Sequence, residues 1–170
     1  MSDRFEDVHA RSSVDNLLRT IQQHHVQLSL MADTKASILI TISSIVLTIA
    51  LSRSNEVQLR PALLTIAGSS LVSLLLAIIA VLPVFAEPRR GKRNILFFGH
   101  FANMSEDDYM EELRGVLTTD AALYEAAIRD IHSLGVYLYK KKYRFLRFAY
   151  VAMLSGFIIA TFVEVWVLFH

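Results

Sequence analysis

Met31-Ala-Asp-Thr-Lys-Ala-Ser-Ile-Leu-Ile-Thr-Ile-Ser-Ser-Ile-Val-Leu-Thr-Ile-Ala-Leu51 is the stretch from which the fold can be read. Two charges, Asp33 and Lys35, stand directly against an uncharged and mostly apolar run from Ala36 to Leu51. Such a junction marks where a helix leaves water and enters a bilayer. The run is short for a span, so its first turn, with Thr34 and Lys35, is expected at the interface. There Lys35 can lift its ammonium to water and leave its stem in lipid. Asp33 and Lys35 are two apart and do not face each other on a helix, so other helices or lipid headgroups are their expected partners.

Upstream, Val14, Leu18, Ile21, His25 and Leu28 recur at helical spacing, with Asp15, Arg19, Gln22 and Gln23 opposite. No glycine or proline interrupts Ser13 to Leu51, which predicts one helix of roughly 58 Å, about twice the hydrocarbon thickness. Half of it must then stand in water. Within the span, Thr34, Ser37, Thr41, Ser44 and Thr48 form a hydroxyl stripe. Two readings stand for it: a packing face with hydroxyls bonded back to their own backbone, which is favoured, or the lining of a pore built from several copies.

Downstream, a polar turn from Ser52 to Arg60 leads to Pro61, where a helix can restart without losing a hydrogen bond. The second span is predicted over 62–85, with Ser69, Ser73 and Ala77 as its close-packing positions and Pro83 loosening its far end. Glu87-Pro-Arg-Arg-Gly-Lys-Arg93 follows, a basic cluster that fixes its side as cytoplasmic. Ser105-Glu-Asp-Asp108 reads as a capping box opening a helix that ends near Leu117, and Asp120 reads as the cap of another. That last helix carries a stripe of Tyr124, Ile128, Ile131, Gly135 and Leu138. It then passes through Lys140-Lys-Lys-Tyr-Arg-Phe-Leu-Arg147 into a third span, 148–170, without a break. Ala152, Gly156 and Ala160 give that span a small-residue seam.

The fold expected is an all-α membrane protein with three transmembrane helices. A small cytosolic helical bundle is formed by long helices continuous with the first and third spans. The parts are a cytosolic lead-in at 1–35, a transmembrane hairpin at 36–85 with spans of about 36–51 and 62–85, a cytosolic helical region at 86–147, and the third transmembrane helix. All but Arg53 and Arg60 of the seventeen basic residues then lie inside, with the N-terminus cytoplasmic and the C-terminus outside.

Composition agrees with that reading and narrows the chemistry. With 54% hydrophobic residues among 170 and a mean hydropathy of +0.42, the chain is too apolar for an ordinary soluble domain. Its net charge of +1 points to no partner, and nothing suggests nucleic acid. The absence of cysteine excludes disulfides, thiolate metal sites and cysteine nucleophiles. Residues 1–13 are mixed in charge and lack the apolar core of a secretory signal.

No Gly-rich phosphate loop, His-x-x-x-His or Gly-x-Ser-x-Gly occurs, so no catalytic residue, metal site or cofactor is expected and the protein is read as a non-enzyme. His24 and His25 project about 100° apart and cannot share a metal on a helix, and His25 within its apolar stripe reads as a packed side chain. Glu164 lies roughly 28 Å up the helix from Phe145, which places it near the outer surface. One candidate ligand site remains: Arg89, Arg90, Lys92 and Arg93 to grip a phosphate, with Phe97, Phe98 and Phe101 to stack a base. A topology signal and packing are the competing readings of those two groups.

The stretch from Gln22 to Ile45, with Asp-x-Lys-Ala-Ser-Ile-Leu leading into the first span, resembles the Pycsar effector transmembrane family. The similarity takes in the paired first spans, the basic turn and the long helix leading into the third. The resemblance implies an antiphage effector of the bacterial inner membrane. A companion pyrimidine cyclase would make cyclic CMP or cyclic UMP, and the nucleotide would activate the effector to impair the membrane and stop the infected cell. A homo-oligomer is the expected form, with ligand binding between copies. The competing function is a constitutive membrane scaffold or accessory subunit that docks a protein partner through its cytosolic helices.

Overall fold

A computed structural model describes residues 11–53, 60–82, 94–97, 101–102 and 104–169, which are helical or in turns. The helices are α1 (Ser12–Ser52), α2 (Arg60–Val81), α3 (Glu106–Val116), α4 (Asp120–Tyr137) and α5 (Arg144–Phe169), with a π-helical segment, Leu138–Tyr143, joining α4 to α5. Three runs are long and apolar enough to cross a membrane: α1, α2, and α4 through α5. The protein is thus all-helical with three candidate spans. The 41 residues of α1 match the unbroken helix expected from the sequence.

The described residues divide into two compact units. One, the polar unit, takes residues up to 27 together with those between 94 and 137. The other, the membrane unit, takes those from 28 to 82 and from 138 onward. Helix α1 contributes residues to both.

The membrane unit is packed small side in. Among the residues it buries are Ala36, Leu39 and Ser43 on α1, Ser70, Ser73 and Ala77 on α2, and Ala149, Met153 and Gly156 on α5. The large residues, among them Ile38, Ile42, Ile45, Leu71, Leu75, Leu154 and Phe157, face outward. In water that distribution would expose a wide apolar surface. In hydrocarbon it is what close helix packing requires, because lipid accepts the large side chains and small ones let backbones approach.

Four buried side chains tie the helices together. Ser43 Oγ lies 3.3 Å from Ser73 Oγ and 3.9 Å from Met153 Sδ, while Ser70 Oγ lies 3.7 Å from the same sulfur. The contacts also fix direction. Partners of α1 on α5 rise together, from Lys35 with Tyr150 to Ser43 with Met153, so these helices are parallel. Ser69 meets Gly156 while Ala62 lies near Ala160, so α2 is antiparallel to α5.

The polar unit obeys the local rules its sequence announced, with one exception. Ser105 Oγ accepts from the Asp108 amide at 3.2 Å, and Glu106, Asp107 and Asp108 sit on the positive end of α3. The cap of α4 is Thr119, whose hydroxyl accepts from the Ala122 amide at 3.2 Å, rather than Asp120, which is the first helical residue. A hydroxyl one residue earlier takes the role because Asp120 already has helical geometry. Its charge still favours the helix N-terminus.

Candidate functional site

Charge is scarce in the membrane unit, and one pair of it is organised. Lys142, in the π-helical segment, donates to both Asp33 carboxylate oxygens at 2.6 and 2.7 Å and to Ser29 Oγ at 2.8 Å. The lysine side chain is only 12% exposed, whereas the aspartate is 42% exposed. This pin joins α1 to the start of α5 at the level where both helices turn apolar. Two further bonds flank it: Tyr143 hydroxyl to the Leu28 carbonyl at 3.0 Å and Tyr150 hydroxyl to the Lys35 carbonyl at 3.4 Å.

The π turn decides which lysine does this. Three consecutive lysines on a helix point in three directions, and the wider turn sends Lys142 inward. Lys140 is left exposed, and Lys141 lies 5.3 Å from the centre of the Phe145 ring. Asp33 thus pairs with another helix, one of the two partners its sequence position allowed. Lys35 is exposed.

The hydroxyl stripe of α1 faces away from the unit's interior. Thr34, Thr41, Ser44 and Thr48 donate to the carbonyls of Leu30, Ser37, Ile40 and Ser44 at 2.8–2.9 Å. Back-bonding of this kind makes a hydroxyl tolerable in lipid. Thr34, Ser37, Thr41 and Thr48 are exposed and Ser44 is half-buried, so within one chain α1 packs through a different stripe, Ala32, Ala36, Leu39, Ser43 and Ala50.

The polar unit has its own centre. Asn94 is buried, and its side-chain amide donates to Asp130 Oδ1 and Ser133 Oγ, both at 2.9 Å. Its oxygen accepts from the Leu96 amide at 3.1 Å, and Gln22 reaches Asp130 Oδ2 at 3.5 Å. Tyr124 hydroxyl donates to Asp15 Oδ1 at 2.9 Å. That bond, reinforced by burial, holds the tyrosine above its ordinary pKa of 10.0. His25 packs against Gly135, where an added Cβ would sit 3.4 Å from the ring.

Of the candidate ligand residues, Arg89, Arg90, Lys92, Arg93 and Phe98 lie outside the described residues. Phe97 is half-buried, and Phe101 packs its ring on Tyr109 with centroids 5.1 Å apart. Among the described residues no cluster of three or more metal-ligating side chains occurs.

Sequence reasoning missed Lys142 as the partner of Asp33, and it missed the Asn94–Asp130–Ser133 group. The first had a signal, since a lone acid at a membrane boundary demands a cation at matching depth. The second had almost none, because Asn94 meets α4 only through the tertiary fold.

No match was found among curated proteins or among solved structures. A family model described as the Pycsar effector protein domain matches residues 16–169, nearly the whole chain, and the protein belongs to that family.

Proposed function

We propose that this antiphage effector is activated by a cyclic pyrimidine nucleotide, cyclic CMP or cyclic UMP, supplied by a companion cyclase. It works without catalysis. It resides in the bacterial inner membrane with its N-terminus and polar unit in the cytoplasm and its C-terminus in the periplasm. The ligand engages the polar unit, with Arg89, Arg90, Lys92 and Arg93 on the phosphate and Phe97, Phe98 and Phe101 available to the base. Binding changes how copies of the chain associate, and the membrane unit then breaches the bilayer.

Membership of the Pycsar effector family carries this reading. Supporting it, α1 and the run from α4 through α5 each supply residues to both units, so each is a helical connection through which binding in one can bias the other. The test is purified protein in sealed vesicles loaded with a self-quenched dye. Cyclic CMP or cyclic UMP should release dye, and cyclic AMP and cyclic GMP should not. Silence towards all four nucleotides would sink the proposal.

One observation favours the scaffold reading instead. Met110 on α3 and Leu117 at its C-cap are more than 60% exposed and border an open groove with Leu113. A stable protein partner held through α3 and no nucleotide-dependent release would favour it.

A further inference from the structure

The far end of the membrane unit contains an acid with one oxygen buried and unpaired. Glu164 Oε2 is buried and has no hydrogen-bond partner among the described residues. It borders a crevice of about 310 Å³ between α2 and α5, lined by Ala62, Leu63, Ile66, Ala160, Thr161 and Val165. Thr161, the one hydroxyl in that wall, is committed to the Phe157 carbonyl at 2.8 Å. A carboxylate oxygen in so apolar a place is costly unless a donor reaches it from elsewhere.

A cation stands at the same depth on another helix. Ser43 meets Met153, and α1 and α5 run parallel, so ten residues further on Arg53 and residue 163 come level. Measured from the Asp33–Lys142 pin, both Arg53 and Glu164 lie roughly 30 Å along their helices. Arg53 is exposed, and the ion pairs seen among the described residues are Glu125 with Arg129 and Asp33 with Lys142. An acid and a base at one level, unmatched among the described residues, complement each other across two chains.

We propose that the crevice receives Arg53 of a second copy, whose guanidinium bonds to Glu164 while its methylene stem lies along the apolar wall. The inference rests on the oligomer invoked for the function and names its contact. Because the donor and the crevice are different surfaces, the contact is heterologous, and repeated from copy to copy it builds a ring where the rotation closes and an open chain where it does not.

The chain has no cysteine, so Arg53→Cys and Glu164→Cys can each be introduced alone, on differently tagged copies of the full chain, into the same vesicles. A short bismaleimide should then join the two tags several-fold more efficiently than it joins either variant to itself. Arg53→Glu and Glu164→Arg should each reduce the assembled fraction severalfold, and the double exchange should restore it. If an amine-reactive crosslinker still captures oligomers but the cysteine pair does not join, the contact is wrong and the oligomer stands. If no crosslinker captures an oligomer, both readings fall together. If instead Glu164→Gln abolishes retention of phosphatidylethanolamine without any cysteine crosslink, a lipid ammonium fills the crevice and the proposal is overturned.

Discussion

Lys142 and Asp33 are unequal partners, and their inequality can be measured. The lysine is nearly enclosed and the aspartate is close to half exposed. Removing the acid strands a cation at the lipid boundary, whereas removing the cation leaves an acid that water can still reach. Asp33→Ala should therefore lower stability by about 1–3 kcal/mol, between the values for exposed and buried pairs. Lys142→Met should cost less, and the double variant should recover most of the loss. Thermal unfolding of the detergent-solubilised protein checks the order; equal costs for the two single changes would refute it. Tyr124 gives a pH test in the polar unit. Its pKa is raised in the folded protein by the bond to Asp15 and by burial, so the neutral phenol favours folding. That contribution is complete below pH 10 and is lost as pH rises through the raised value. Melting temperature should fall more steeply above pH 10 in the wild type than in Tyr124→Phe.

At the level of elements, the seam between α2 and α5 depends on a missing side chain. A Cβ on Gly156 would lie 1.8 Å from Ser69 Oγ and 2.1 Å from Ser69 Cβ. A hydroxyl can rotate away, but a Cβ moves only with its backbone, so the helices must separate. Gly156→Leu should cost about 1–3 kcal/mol by overpacking and Gly156→Ala less. Gly68, which would meet nothing within 4 Å, serves as the control, and Gly68→Ala should be harmless. Unfolding in mixed micelles reads both. This seam was legible in the sequence because spacing of small residues by four survives any detail of packing. So were the length of α1, from its unbroken run, and the opening of α3, from its capping box. The π turn was not legible. Lys140-Lys-Lys142 carries no glycine or proline, and nothing local in it marks Lys142 as the lysine that meets Asp33. The candidate ligand cluster was legible only as composition, since four cations in five positions serve topology and phosphate binding equally well.

For the whole molecule, the continuity of α1 matters more than any one contact. Gln27 and Leu28 are neighbours in one unbroken helix yet belong to different compact units. If activation is transmitted as a displacement along that helix, stiffness at this junction is required and ligand contacts there are not. A flexible Gly-Ser-Gly-Ser insertion between Gln27 and Leu28 breaks the helix without altering a residue of either unit. The insertion should leave cyclic nucleotide binding, followed by calorimetry, within a few-fold of the wild type. It should also leave the Asp33–Lys142 pin and membrane insertion intact, because both lie on one side of the cut. Nucleotide-triggered dye release should fall severalfold, the run from α4 through α5 being the connection that is left. A helical insertion of seven residues, close to two full turns, keeps the phase of α1 within about 20° and should retain part of the response. Full release from the flexible variant would mean that the units communicate by another route, and α1 would then be only a tether.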